Sequence, residues 1–312
     1  ARLIEDEKPD VVHAIALQSM VMTSLALATS RHRPSAIVLH LTGLGYLGQS
    51  RSPMASVVGP LAWAAVRHCM TRQSTWLVAE NDDDLAVLAA AGPVHRSRTA
   101  IIPGAGVDPA VLRCTQPPAN KVPRAAFVGR MIVSKGAHVL VEAHRLLRQQ
   151  GVRVDLALYG DADPGSRQSI SQKMLAEWDG LPDAKWYGRT GDIAGVWAAC
   201  DMAIVPTLGG DGMPRAMLEA AACCRPLIVS DVPGCRQFVR DGVEGLMVPP
   251  NDPPALARAI SRLASNPRLR AEMGRAARQR VLAGYTTDAV RDAYRRVYAQ
   301  LPVRGSATAT AR

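Results

Sequence analysis

Two cations follow a short apolar run in the segment Ala126–Gly136, which reads AFVGRMIVSKG. The run predicts a strand that ends at Gly129, with Arg130 on the following loop and Lys135 near the first turn of a helix. Ligands of open α/β sheets lie at the carboxyl ends of strands. An arginine that binds oxygens in pairs and a compact lysine charge, next to helix amides, suit a diphosphate. The alternative is an exposed basic loop that binds nothing.

A Gly-rich turn with two carboxylates lies farther along the chain, in Thr207–Glu219 (TLGGDGMPRAMLE). An apolar run before it predicts a strand, and a helix is predicted to begin near Met213 or Pro214, since proline fits a first helical turn. The glycines let the backbone approach a ligand that faces the helix amides. Asp211 lies at the helix entrance, and Glu219, about two turns into the helix, could accept hydrogen bonds from ribose hydroxyls. A surface glutamate, or a half-buried and partnered one, is the alternative for Glu219.

Four other polar residues are weaker candidates. His13 and His40 each end a predicted strand, and each could be a capped structural histidine; His13 is the stronger candidate of the two. Asp108, in PGAGVDP, fits a turn better than a catalytic site. Arg236, in PGCRQFV, either lies on a helix near the site or faces solvent.

Short apolar runs alternate with helical patterns along the whole chain. Strands are predicted at 10–13, 36–40, 76–79, 100–102, 124–128, 153–159, 184–187, 202–205, 226–229 and 245–248. Helices are predicted at 16–30, 56–71, 82–91, 135–149, 166–178, 191–199, 214–223, 252–265 and 286–299. This alternation predicts an α/β fold with two parallel sheets, each covered on both faces.

Length and charge limit the classes of function. The 312 residues argue for two domains, and a Pro-bearing polar stretch places their boundary near 112–122. The net charge of +10 is uneven, because residues 1–112 contain nine Arg or Lys and nine Asp or Glu. Much of the excess lies in the helical tail 258–304, where a solvated arginine-rich face is the simple interpretation and an anionic membrane surface the functional one. Nucleic acid is disfavoured, since neither a nucleic-acid motif nor interleaved aromatics accompany the arginines.

The cysteines and the longest apolar stretch indicate a cytoplasmic protein. Six cysteines are spread without metal-ligand spacing, and free thiols in a reducing compartment are the simplest interpretation. Adjacent Cys223 and Cys224, on a predicted helix, suit neither a zinc site nor a mutual disulfide. The stretch Ile15–Ala28 is too short and too polar to span a membrane, so we expect a buried helix there.

Nine segments, in the same order along the chain, resemble glycosyltransferase family 4, the retaining enzymes of the GT-B fold. The GLGY element and the PGCR run most resemble the subgroup that builds O-antigen, capsule or other surface polysaccharide on a lipid carrier. The segments are KPDVVHA (8–14), LTGLGYLGQS (41–50), ENDDD (80–84), IIPGAGVDP (101–109), FVGRMIVSKG (127–136), WYGRTGDI (186–193), DMAIVPT (201–207), the run 211–239, and DGVEGLMVPPND (241–252).

The resemblance implies a GT-B hexosyltransferase that transfers a sugar from a nucleotide-sugar, usually UDP-linked, with retention of configuration. It implies two Rossmann-like domains that face each other across a cleft, no metal, no cofactor and no dedicated protein base, since the leaving phosphate helps to deprotonate the acceptor. The acceptor would be lipid-linked or a saccharide, and the protein would be cytoplasmic or peripheral at the inner membrane face. The implied domains are 1–112 on the acceptor side, 113–285 on the donor side, a helix at 286–304 that packs back towards the N-terminal domain, and a disordered tail at 305–312.

Site residues are carried over from the resemblance by position. Arg130 and Lys135 would hold the diphosphate, Glu219 the ribose, and Asp211 would face the donor sugar. His13 would lie on the wall of the N-terminal domain. The loop Tyr187–Arg189, which contains Gly188, would frame the base. The amides of Gly212, Met213 and the neighbours of Pro214 would line the sugar and phosphate, and Gly129 is a further implied donor-binding position.

The sequence departs from the family pattern in three places. Asp211 stands where the family has glutamate, which shortens the reach of this carboxylate. The segment Ile15–Gln18 is mostly apolar where the family often has a polar or basic group. The family's opening strand and its Gly-rich loop have no counterpart, so we expect an N-terminal domain that is incomplete.

Two other functions stay open beside the transferase. A non-catalytic remnant that binds only the nucleotide would explain the departures from the family. A nucleotide-sugar epimerase of the same architecture would keep the fold, although the segments 127–136 and 211–219 favour the transferase. An oxidoreductase is disfavoured because no G-x-G-x-x-G motif follows the first predicted strand of either half.

Overall fold

The computed structural model describes residues 1–44 and 53–302, and of residues 53–59 the backbone alone. The expected tail at 305–312 and most of the segment 41–50 lie outside the described residues. The chain divides into two compact units. The N-terminal unit contains residues 1–104, the short segment 210–213 and the chain from Val290 on. The C-terminal unit contains residues 105–209 and 214–289.

The N-terminal unit is a parallel four-stranded sheet with helices on both faces. Its strands follow the order β1-β2-β3-β4 and are β1 (Val11–Ile15), β2 (Ala36–Leu41), β3 (Thr75–Ala79) and β4 (Thr99–Ile101). The helices that lie between or before them are α1 (Arg2–Glu7), α2 (Leu17–Thr29), α3 (Pro53–Met70) and α4 (Asp82–Ala91).

Alternate residues of these strands face two separate cores. One core includes Ile37, Leu39 and Leu41 of β2 and side chains of α2. The other includes Ala36 and Val38, on which the last helix of the chain packs. Because side chains alternate along a strand, His13 and His40 lie on this second face.

The C-terminal unit is a parallel six-stranded sheet in the order β10-β9-β8-β5-β6-β7. Its strands are β5 (Arg124–Val128), β6 (Asp155–Tyr159), β7 (Ala184–Gly188), β8 (Met202–Val205), β9 (Leu227–Ser230) and β10 (Gly245–Val248). Its helices are α5 (Ala137–Gln149), α6 (Gln172–Asp179), α7 (Ile193–Ala198), α8 (Arg215–Ala222), α9 (Pro233–Phe238), α10 (Pro253–Ala264) and α11 (Pro267–Gly284). The last helix, α12 (Thr287–Tyr298), begins here and continues in the N-terminal unit from Val290.

The α/β prediction with two parallel sheets is confirmed. All ten predicted strands form, and none of their ends is displaced by more than two residues. The order of the larger sheet reverses beside β5, and such switch points are where ligands of open α/β sheets bind. The helix predicted from residue 166 begins only at Gln172, because the Ser171 side chain accepts the Met174 amide hydrogen and caps it there.

The helix predicted in the apolar N-terminal stretch is confirmed as α2, which buries Leu17, Met20 and Leu27 against the sheet. Its thirteen residues are about 20 Å long, well short of the hydrocarbon thickness of a bilayer. Nowhere in residues 1–44 and 53–302 is a helix both long and apolar enough to cross a membrane.

The expectation of free thiols is wrong for two of the six cysteines. Cys114 and Cys224 form a disulfide whose Cα atoms are 5.0 Å apart, although 110 residues separate them in sequence. The fold brings the segment before β5 against the end of α8, and no spacing pattern in the sequence reports such a contact. Cys224 has a left-handed backbone (φ 61°) just past the helix, so its side chain leaves the direction that the predicted helix would give it. The other four cysteines are buried as free thiols, at positions 69, 200, 223 and 235.

Candidate functional site

The loops after β5 and β6 pack closely at the carboxyl edge of the larger sheet. The Gly129 amide donates to the Tyr159 carbonyl over 3.0 Å. Gly160 has φ +135°, and a Cβ there would overlap the carbonyl oxygen of Gly129. Glycine is therefore required at Gly160 for the two loops to approach this closely. This contact places Arg130 at the carboxyl ends of the strands, and the side chain of Arg130 is exposed.

A pocket of about 430 Å³ opens at these strand ends. Arg130 and Arg189 line it, together with the acidic residues Asp161 and Asp163. Arg130 Nη1 donates to Asp163 Oδ2 over 2.9 Å, and the Arg189 amide donates to Asp161 Oδ1 over 3.1 Å. The other lining residues are Val128, Gly129, Tyr159, Gly160, Ala162, Pro164, Thr190 and Ile193. Two guanidinium groups at one opening suit a ligand with several anionic oxygens.

An aromatic pair supports one wall of this pocket. Tyr159 and Tyr187 stack with ring centroids 4.7 Å apart and planes 8° apart. Burial raises the pKa of Tyr159 to about 12, so its phenol stays neutral. Gly188 follows with φ +67° and turns the chain towards Arg189. The predicted base-binding loop 187–189 therefore has a stacked tyrosine and a charged end.

Lys135 lies on the same loop as Arg130 but does not line the pocket. It ends a single 3₁₀ turn, Val133–Lys135, after which Gly136 (φ +76°) starts α5. The carbonyl of Ser134 accepts from the Thr207 hydroxyl over 3.1 Å and from the Leu208 amide over 2.8 Å. These bonds join the loop after β5 to the start of the Gly-rich turn, as two parts of one site require.

Glu219 is a buried side chain of α8 with a partner. The helix starts at Arg215, one residue after the predicted start, with Pro214 at its N-cap position, and Arg215 Nε donates to Glu219 Oε1 over 2.8 Å. Burial raises the pKa of Glu219, and the hydrogen bond from Arg215 acts in the opposite direction. Glu219 thus matches the half-buried, partnered alternative, and Arg215 is a neighbour that the sequence interpretation did not name.

Asp211, Gly212 and Met213 belong to the N-terminal unit, whereas Pro214 and Glu219 belong to the C-terminal unit. The Gly212 amide donates to the Thr42 carbonyl over 3.2 Å. The Met213 amide donates to the carboxyl group of Glu80. Two of the amides expected to line sugar and phosphate are therefore bonded to protein acceptors in this structure.

His13 and His40 form one cluster on the second face of the smaller sheet. Their rings stack with centroids 5.7 Å apart. His13 Nδ1 lies 2.6 Å from the Tyr298 hydroxyl, and His40 Nδ1 lies 3.1 Å from the Tyr294 hydroxyl. Burial lowers the pKa of His13 and, with the neighbouring His13, lowers that of His40 to about 4. Both imidazoles are neutral at physiological pH, so His13 can exchange hydrogen bonds without carrying charge.

Several polar residues near these sites were not found from the sequence. Asp161 and Asp163 follow β6, and the rule that ligands bind beyond strand ends could have identified them. The same rule could have identified Glu80, which follows β3. Tyr294 and Tyr298 gave no such signal, because only the packing of α12 brings them to His40 and His13. No cluster of three or more metal-ligating side chains occurs within residues 1–44 and 53–302.

Comparison with known proteins finds a family that matches part of the C-terminal unit. Residues 122–266 match the family described as glycosyl transferases group 1. The chain is 35% identical over 195 residues to a D-inositol 3-phosphate glycosyltransferase of Saccharomonospora viridis, which covers 58% of this chain and 44% of that protein. It is 27% identical over 180 residues to the lipopolysaccharide core biosynthesis glycosyltransferase LpsE of Rhizobium meliloti, covering 58% and 51%. The chain thus spans about half the length of these curated relatives.

Solved structures share the fold across almost the entire chain. Anabaena HepE, crystallised with UDP and glucose, superposes with a TM-score of 0.76 at 20% identity and covers 94% of this chain and 78% of that one. Sucrose-phosphate synthase of Thermosynechococcus elongatus gives a TM-score of 0.76 at 22% identity, covering 93% and 73%. Because the sequence identity is only 20–22%, the likeness establishes the fold alone, which is the GT-B class of α/β fold.

Proposed function

We propose that this chain transfers a sugar from a nucleotide-sugar, UDP-linked, to an acceptor hydroxyl with retention of anomeric configuration. The observation that carries the proposal is the pocket beyond β5, β6 and β7, which Arg130 and Arg189 both line and which lies beside a tyrosine stack. This pocket lies within the residues that match glycosyl transferases group 1. HepE, which has the same fold, was crystallised with UDP.

The donor would be held by charge at one end and by hydroxyl contacts at the other. Arg130 and Lys135 supply two cations for the diphosphate, and Arg189 lines the same pocket as Arg130. Glu219 is the carboxylate for the ribose, since a carboxylate with one oxygen bonded to Arg215 still has capacity for further hydrogen bonds. Gly129 and Gly188 would let the backbone approach the phosphates and the base.

In the proposed transfer, the bond between the anomeric carbon and the diphosphate oxygen breaks and a bond to the acceptor oxygen forms on the same face of the sugar. Negative charge grows on the departing diphosphate. Arg130 and Lys135 would stabilise that charge without a metal. The acceptor proton passes to the leaving phosphate, so no protein base is required. In the same proposal Asp211 faces the donor sugar, and His13 offers an uncharged hydrogen-bonding group.

The acceptor in this proposal is lipid-linked or a saccharide, in the synthesis of surface polysaccharide. The name of LpsE, a lipopolysaccharide core glycosyltransferase, supports this assignment. In this proposal the enzyme is cytoplasmic, and the net charge of +10 supports a peripheral position at an anionic membrane surface. A second candidate, nucleotide binding without transfer, is favoured by Asp211, which is shorter than the family's glutamate.

Calorimetric titration with UDP, and with GDP for comparison, tests the donor site. We expect UDP to bind selectively, and Lys135→Ala and Glu219→Ala each to weaken it by about 10- to 150-fold, the loss of one charge-assisted hydrogen bond of ~1.5–3 kcal/mol. Lys173→Ala, which removes an exposed lysine of α6, is the matched control and should leave the affinity unchanged. A folded chain that binds neither nucleotide would refute the donor site. UDP binding without transfer to any acceptor would favour the second candidate.

A further inference from the structure

The segment Asp211–Met213 of the Gly-rich turn is held by hydrogen bonds to residues at the strand ends of the N-terminal unit. The Gly212 amide donates to the Thr42 carbonyl, just past β2, over 3.2 Å. The Gly212 carbonyl accepts from Asn81 Nδ2, just past β3, over 2.8 Å. The Met213 amide donates to the Glu80 carboxyl. Both sides of the short segment are therefore bonded to residues beyond two neighbouring strands.

The fit of this segment leaves no room for larger side chains. A Cβ on Gly212 would overlap Glu80 Oε2 and lie 2.8 Å from the carbonyl carbon of Thr42. Gly43, with φ +91°, faces the same segment, and a Cβ there would overlap the Gly210 carbonyl and lie 2.7 Å from the Asp211 carbonyl carbon. Gly43 and Gly212, on two facing segments of the chain, thus allow the two backbones to approach each other closely.

A buried network supports the groups that hold the segment. Asn81 is fully buried; its Oδ1 accepts the Asp84 amide over 2.7 Å, and its Nδ2 donates to Asp84 Oδ2 over 2.8 Å as well as to Gly212. Asp84 also accepts the Gly43 amide. Glu80 is 9% exposed. The side chains that contact the segment therefore have little freedom to move.

Acidic groups surround Glu80 in this network. Burial raises the pKa of Glu80 to about 8, and the nearby carboxylates of Asp84 and Asp211 add to the shift, while the Met213 amide opposes it. Tyr294 faces Glu80 from α12, and its own pKa is raised to about 12, chiefly by burial and also by the charge of Glu80. At neutral pH the Glu80 carboxyl is protonated, accepts the Met213 amide, and adds no charge beside Asp211.

We propose that Glu80 is a positioning residue, whose carboxyl fastens the segment Asp211–Met213 and thereby places Asp211 for the transfer. The role of Asp211 in this inference rests on the proposed function, but the hydrogen bonding of the segment by Glu80 does not. Ionised Glu80 would face two carboxylates, so it would leave the segment for water as the pH rises. The alkaline limit of the reaction is then set inside the N-terminal unit, apart from the residues that hold the nucleotide.

Hydrogen exchange of the peptide that contains Gly212 and Met213 tests the fastening without any activity. Rates are compared, after correction for intrinsic exchange, from pH 6 to pH 9. In the wild-type chain and in the exposed control Glu7→Gln, we expect protection that is lost through about pH 8. Glu80→Gln keeps an acceptor for the Met213 amide but cannot ionise, so its protection should not depend on pH. In Glu80→Ala the Met213 amide should be unprotected at every pH.

Wild-type protection in Glu80→Ala, or an unchanged alkaline loss in Glu80→Gln, would overturn the proposal. If Glu80→Ala does not fold, the comparison of the wild-type chain with Glu80→Gln decides alone.

Kinetics with UDP-sugar separate this inference from the proposed function. We expect Glu80→Ala to lower kcat by about 10- to 100-fold, the cost of a displaced reacting group, with the calorimetric Kd for UDP unchanged. Glu80→Gln should restore kcat and remove the alkaline limb of its pH profile. Equal kcat in Glu80→Ala and the wild-type chain would overturn the positioning role. A wild-type chain that transfers no sugar, but whose exchange responds as expected, would refute the proposed function and leave the fastening established.

Discussion

The ion pair between Arg130 and Asp163 offers the sharpest test of how the pocket binds a nucleotide. The two side chains are 64% and 30% exposed, and Arg130 Nη1 lies 2.9 Å from Asp163 Oδ2. A diphosphate that binds Arg130 must compete with this carboxylate. We therefore expect Asp163→Asn, which keeps the shape and removes the charge, to tighten UDP binding.

The size of this gain follows from the exposure of the pair. Two unit charges 2.9 Å apart attract by ~1.4 kcal/mol in bulk water. Measured couplings of exposed pairs are smaller, ~0.2–1 kcal/mol, because ordering the side chains has an entropic cost. Asp163→Asn should therefore lower the Kd for UDP by about 1.4- to 5-fold. The gain should shrink as the salt concentration rises, because ions screen both partners.

A double-mutant cycle followed by calorimetry isolates the competition. Arg130→Ala alone should weaken UDP by about 10- to 150-fold, the loss of a charge-assisted hydrogen bond. In that background Asp163→Asn should have no effect. Asp183→Asn is the matched control, because Asp183 pairs with Arg153 over 3.3 Å at exposures of 26% and 69%, away from the lining residues.

Two results would refute this reasoning. Weaker UDP binding by Asp163→Asn would mean that this carboxylate orients Arg130 for the nucleotide instead of competing for it. An equal gain with and without Arg130 would mean that Asp163 acts on the ligand directly, through the general field of the pocket.

Three further predictions concern backbone fit, the disulfide and pH. In Gly136→Ala the new Cβ would overlap the Pro206 carbonyl, whereas in Gly151→Ala, also at a positive φ, it would meet nothing within 4 Å. Thermal melts should show that Gly151→Ala loses ~1–2 kcal/mol of stability and that Gly136→Ala loses clearly more. Equal losses of stability would contradict the steric argument. The denatured chain should titrate four thiols without reductant and six after reduction, and Cys114→Ser should titrate five without reductant; six before reduction would show that the disulfide is absent. The pKa of Glu80 is raised from 4.5 to about 8, so the contribution of Glu80 to stability is complete below pH 4.5 and is lost as the pH rises to about 8. Across that range the free energy of unfolding of the wild-type chain should fall relative to that of Glu80→Gln. A constant difference between the two would contradict the raised pKa.

Local patterns in the sequence predicted most of the architecture. Apolar runs of strand length and helical periodicity repeat every few residues, and each depends only on neighbours along the chain. For that reason all ten strands were located, and Arg130 and Gly129 were placed correctly at the carboxyl end of β5. The start of α8 after Pro214 was also predictable, because helix caps are local.

Contacts between distant residues were decided by the tertiary structure alone. Asp163 pairs with Arg130 across 33 residues, and Tyr298 reaches His13 across 285. Cys114 meets Cys224 only where the chain before β5 passes the end of α8.

The environment of each candidate side chain was likewise decided by packing. The sequence by itself determined which residue types stand at which strand ends, since strand and helix periods are local properties. It could not determine that the Asp211 segment belongs to the N-terminal unit, or that Glu80 is buried beneath it. Burial, pairing and the resulting pKa depend on which surfaces the folded chain removes from water, and only the tertiary structure sets those.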